Sequence, residues 1–113
     1  MKIISYAMRR SIVNKIIGGD LGSALELLSS EYGVASPDFR VGTVKGHRNV
    51  AACYQEKQRT MVFSNREILR NPAVVLHEFY HHLIASKTFK GGGTDKNADR
   101  FVKQFLSADP GLE

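Results

Sequence analysis

This chain of 113 residues holds a single cysteine, three prolines and no tryptophan. One thiol excludes an intrachain disulfide, so Cys53 is expected as a small buried side chain and a reducing compartment as the simpler setting. No apolar run approaches the roughly 20 residues a bilayer-spanning helix requires. The first ten residues place Arg9-Arg10 after a short apolar patch, the reverse of a secretory leader, so a cytoplasmic location is the expectation. Charge of one sign is not concentrated either. The formal net charge is +5, but its 16 lysines and arginines are scattered and the longest basic run is Arg9-Arg10. A solvated basic surface therefore explains the charge better than a nucleic-acid site, and nucleic acid is not an expected partner. The length suits one domain over 1–113, with an apolar share typical of a folded globule.

Helical spacing of apolar residues predicts helix over 9–17 and 20–32, interrupted at Gly18-Gly19, with Asp20 as N-cap and Gly33 as C-cap. Three short extended segments follow. They are Phe39–Val44, Asn49–Gln55 and Thr60–Ser64, separated by turns at Lys45–Arg48 and Glu56–Arg59, and their spacing predicts a three-stranded antiparallel meander. Asn65 is suited to cap a short helical piece ending at Leu69. Asn71-Pro72 then opens a helix to about Ser86. Gly91-Gly92-Gly93 forms a linker, after which Thr94 or Asp95 caps a last helix through Leu106. The expected fold class is α+β: an N-terminal helix, the meander, and two C-terminal helices.

The most specific chemistry lies in the third helical stretch. His77-Glu78-Phe79-Tyr80-His81 is an HExxH motif. Two histidines at i and i+4 project from one face one turn apart, so both imidazoles reach one metal ion. Glu78 between them is then suited as a general base toward a water activated by that metal. Leu76, Phe79, Tyr80, Leu83 and Ile84 share an apolar arc, with His77 and His81 at its edge and Glu78 beyond them. A catalytic zinc site takes three protein ligands. No histidine follows His82, so the third ligand is expected among the later carboxylates Asp95, Asp99, Asp109 and Glu113. Asp95 and Asp99 stand at i and i+4 on one helix face. That spacing assigns one of them to the metal and the other to orienting a ligand imidazole through its second nitrogen.

With Asp95-Lys96-Asn97-Ala98-Asp99 downstream, the chain resembles the gluzincins, whose pattern is HExxH followed by ExxxD. Its shortness, its order of elements and the run through His82 resemble more narrowly the minigluzincins, minimal soluble metallopeptidase scaffolds. The resemblance implies a zincin-like fold, a Zn2+ cofactor, peptide or protein as substrate, Asp95 as third ligand and Asp99 as the orienting carboxylate. It also implies an alternative: a latent or regulatory domain whose cleft a C-terminal segment blocks, here 107–113. One position departs from the pattern, because Asp95 is a methylene shorter than the glutamate gluzincins use. Asp99 stays open as the ligand on that account, and Gly93-Thr94-Asp95 is similar to a fragment of the aspzincins. Other polar residues near the motif have ordinary explanations: His82 as a surface residue, Tyr80 as core, and Lys87, Lys90, Arg100 and Lys103 as a solvated basic rim. His47, Arg48 and Tyr54 are candidate donors to an oxyanion from the sheet side, with a loop or surface role as the ordinary alternative.

Overall fold

A computed structural model describes residues 4–44, 51–86 and 92–107. Helix α1 spans Tyr6–Ile17, three residues earlier than the apolar spacing suggests, because Ser5 caps it and accepts from the Met8 N–H. Gly19, at φ 88°, turns the chain into α2, Leu21–Tyr32, where Asp20 accepts from the Ser23 N–H. Gly33 ends that helix in the left-handed region at φ 70°, a conformation that costs a side-chain-bearing residue more.

The strands are shorter than expected: β1 Asp38–Val41, β2 Ala52–Gln55 and β3 Thr60–Phe63. The expected Lys45–Arg48 turn and residues 49–50 lie outside the described residues. The sheet is not an antiparallel meander. Its order is β1-β3-β2, with β1 parallel to β3 and β2 antiparallel to it. The tight turn at 56–59, where Arg59 takes φ 48°, forces β2 and β3 to be antiparallel neighbours. Strand β1 takes the far side of β3, and β2 lies against α3. Nor is β1 half-buried as its alternation suggests, since all four of its residues are exposed.

After β3, Asn65 accepts from the Ile68 N–H and starts a 3-10 turn over Glu67–Arg70. Helix α3, Pro72–Ala85, has Asn71 as N-cap and proline at its first turn, as the sequence predicts. Helix α4, Asp95–Leu106, is capped by Thr94. Val75, Leu76, Phe79 and Leu83 of α3 are buried among Ile12 and Ile16 of α1, Leu25 and Leu28 of α2, and Met61 and Phe63 of β3. Each such side chain contributes about 1.5–3 kcal/mol on burial. Ala98, Phe101, Val102 and Phe105 seat α4 on this core, with the Phe101 ring 5.5 Å from that of Tyr80 and 6.0 Å from that of Tyr32. Tyr80 is buried, as its place in the apolar arc predicts.

Arg9 is not part of the basic surface. It is 4% exposed, and its guanidinium donates to the carbonyls of Ile4 (3.0 Å), Gln104 (3.2 Å), Phe105 (3.1 Å) and Ser107 (2.7 Å). Three of those oxygens lie at the C-terminal end of α4, where helical carbonyls lack partners and the helix dipole favours a cation. Helix α4 is therefore fastened at its C-terminal end by α1. No helix among the described residues is long and apolar enough to cross a membrane.

Candidate metal centre

Asn71 and Pro72 set where α3 begins, and thereby which face carries His77 and His81. Thr94 does the same for α4, accepting from the Asn97 N–H at 3.2 Å and placing Asp95 at the first helical position. The approach to α4 is held by two donors on one oxygen. The Tyr80 hydroxyl and the Asn97 side-chain amide each donate to the Gly92 carbonyl at 3.0 Å. The end of the glycine linker is thus tied to α3 as well as to α4, an arrangement the composition of the linker does not suggest.

The three donor atoms converge. His77 Nε2 lies 3.1 Å from Asp95 Oδ1, His81 Nε2 lies 3.2 Å from the same oxygen, and the two Nε2 atoms are 3.4 Å apart. His77, His81 and Asp95 form a group that could hold a metal ion. Tetrahedral ligands at zinc distances stand about 3.3 Å from one another, so the spacing fits such an ion without rearrangement. Ala98 and Phe101 of α4 are buried in the core that α3 shares, and Asp95 at the start of α4 lies beside both histidines. Asp99 does not join the three donors. Its Oδ1 accepts from His77 Nδ1 at 3.0 Å, which leaves Nε2 of that ring free to face the other donors. The Asp95 carboxyl is held below the usual carboxylate range by its hydrogen bond with His77, reinforced by His81. Asp109 and Glu113 lie outside the described residues.

Glu78 follows on the same helix and is buried, 7% exposed. Burial pushes its carboxyl up to about 7; the neighbouring His77 opposes this and Asp95 adds to it. Glu78, His77, His81 and Asp95 all border a cleft of about 640 Å3. Its opposite wall is β2, which contributes Ala52, Cys53 and Tyr54, with Glu56 from the turn beyond. Cys53 is therefore not the buried core residue its neighbours suggest: it is partly exposed on the cleft wall, its thiol pushed up by burial and then by the nearby Glu78.

His82 reverses its expectation most fully. It is completely buried, not a surface residue. Its Nε2–H donates to the Ala35 carbonyl at 2.7 Å, which leaves Nδ1 to accept from the Tyr54 hydroxyl, also at 2.7 Å. Burial holds its pKa below the ordinary value, favouring the neutral ring this pattern needs. Tyr54 thus lines the cleft with its hydroxyl engaged by α3, and the pair ties the cleft wall to that helix. A signal was present in the sequence: Val75 and Phe79 lie seven and three residues before His82, so His82 continues the apolar side of the helix.

Arg100 and Lys103 are exposed and do not line the cleft. His47, Arg48, Lys87 and Lys90 lie outside the described residues. No protein-family model, curated protein or solved structure matches the chain.

Proposed function

We propose that this protein is a zinc-dependent peptidase with a minigluzincin-like, zincin-type site, acting on peptides or proteins in the cytoplasm. The observation that carries the reading is the convergence of His77, His81 and Asp95 donors at 3.1–3.4 Å beside the buried Glu78 carboxyl. Zinc in such a site supplies Lewis acidity toward a water and a peptide carbonyl. His77, His81 and Asp95 would be its ligands, and Asp99 would orient His77 through Nδ1.

Glu78 supplies the proton transfers. As a carboxylate it removes the proton from the attacking water, and as the acid it delivers that proton to the leaving amine. Burial raises the proton affinity of this carboxyl above that of an ordinary glutamate, which favours its taking up the proton. Strand β2 supplies alignment. The Ser64 N–H bonds the Ala51 carbonyl at 2.9 Å, so alternation turns the backbone groups of Ala52 and Tyr54 away from β3. An extended peptide can add to that edge and lie along the cleft.

Two measurements on the full chain test this: metal content, and cleavage of casein or an unstructured peptide. The wild type should carry stoichiometric zinc and lose it as Asp95→Ala. Glu78→Gln should retain zinc while cleavage falls at least about a hundredfold. Equal cleavage by Glu78→Gln and wild type would sink the reading. A zinc-loaded wild type that cleaves nothing, even when truncated after Ser107, would instead identify a non-catalytic metal-binding domain.

A further inference from the structure

The outer edge of β1 is a surface the core leaves uncovered. Asp38, Phe39, Arg40 and Val41 are all exposed, Phe39 at 39% and Val41 at 42%. The Asp38 N–H bonds the Arg59 carbonyl at 3.0 Å and the Gly42 N–H bonds that of Phe63 at 2.9 Å. Even-numbered residues of the strand therefore turn their backbone groups to β3. Phe39 and Val41 turn theirs outward, where no strand pairs with them among the described residues. The register sets Phe39 beside Met61 and Val41 beside Phe63, so these two side chains prolong the apolar face of the sheet. Asp38 and Arg40 lie on its other face.

We propose that two copies of this chain pair through β1, antiparallel, about a two-fold axis at Phe39. Charge selects that register. With the axis at Phe39, Asp38 of each copy stands opposite Arg40 of the other, giving two pairs of opposite sign. An axis at Arg40 sets two arginines face to face, and one at Val41 sets Arg40 against Gly42 and forfeits both pairs. The outward backbone groups of Phe39 supply reciprocal hydrogen bonds at the axis. The Asp38–Arg40 pairs fall at the flanking positions without ladder bonds, where facing side chains come closest. The two phenylalanine rings meet on the apolar face. Pairing converts two open edges, each a template for indiscriminate strand addition, into one six-stranded sheet with β2 at both outer ends. Both clefts stay open, so this pairing stands or falls independently of the metal chemistry.

Sedimentation of the full chain tests it. The wild type should form a dimer at micromolar concentrations. Asp38→Arg alone and Arg40→Asp alone each set like charges opposite one another, and each should weaken self-association by roughly tenfold or more. An equimolar mixture of the two variants should dimerise again, because every facing pair then regains opposite sign. Restoration on mixing also requires that both variants be folded. A wild type that stays monomeric at high micromolar concentration overturns the proposal. A dimer indifferent to both substitutions, or a mixture that fails to reassociate, overturns it equally.

Discussion

The two edges of one small sheet have opposite fates. Strand β2 is packed against α3, lines the 640 Å3 cleft and is bonded to the buried His82 through Tyr54. Strand β1 has the same length, but two of its four residues, Asp38 and Arg40, are charged, and its four side chains are all exposed. The difference comes from what lies beside each edge as well as from the two charged residues of β1. A β2 residue faces a helix whose polar groups are already positioned, so its hydroxyl finds a partner in the core. On β1, Asp38 and Phe39 face a cavity shared with Gly22, Leu25 and Glu26 of α2, and the strand stays exposed beside β3. Strand propensity is thus a poor guide to a strand's role; its neighbours decide it.

The contrast can be broken most severely at its foundation. Arg9 fastens the end of α4, and α4 brings Asp95 to the helix that β2 faces. Arg9→Met leaves three α4 carbonyls without that partner and should cost about 3 kcal/mol, a melting temperature lower by about 10 °C, in thermal unfolding. Asp99→Asn keeps the shape but weakens the hydrogen bond at His77 Nδ1. Zinc affinity should fall about 10- to 100-fold in a competition titration with a chelator, and a wild-type affinity would contradict the orienting role. Tyr54→Phe removes the hydroxyl that joins β2 to His82. We expect about 1 kcal/mol of lost stability and a raised KM with metal content unchanged; a lost metal instead would place Tyr54 nearer the ligands than the geometry does. The smallest effect belongs to β1: Phe39→Thr, measured on dilute monomer, should change unfolding free energy by less than about 0.5 kcal/mol. A loss as large as that of Tyr54→Phe would erase the distinction between the two edges.

How much of this was legible depends on the range of the interactions involved. The extents of α3 and α4 follow from Asn71-Pro72 and Thr94, because a cap bonds an N–H only three residues away. The pairing of His77 with His81 follows from helical pitch. The roles of Asp95 and Asp99 are ambiguous in sequence, since both occupy one face of α4 and either is close enough in number. The strand pattern likewise named three extended segments but misjudged their order as a meander, because alternation within a strand does not say which edge of β3 it joins. Arg9 read as surface charge and His82 as a solvent-facing ring. Both are buried because carbonyls distant in sequence, those at the end of α4 and that of Ala35, supply the acceptors that make burial tolerable.

The amino-acid sequence by itself determined the elements with local causes: the capped helices, the histidine pair one turn apart, the glutamate between them, and the two aspartates one turn apart on the last helix. The tertiary structure alone decided that Asp95 meets both Nε2 atoms while Asp99 turns to Nδ1, that β2 walls the cleft, and that the four residues of β1 stay exposed. Those outcomes depend on how closely α4 settles on α3 and on which edge of β3 each strand takes. Such distances are set by packing between segments far apart in the chain, where helical pitch and strand alternation carry no information.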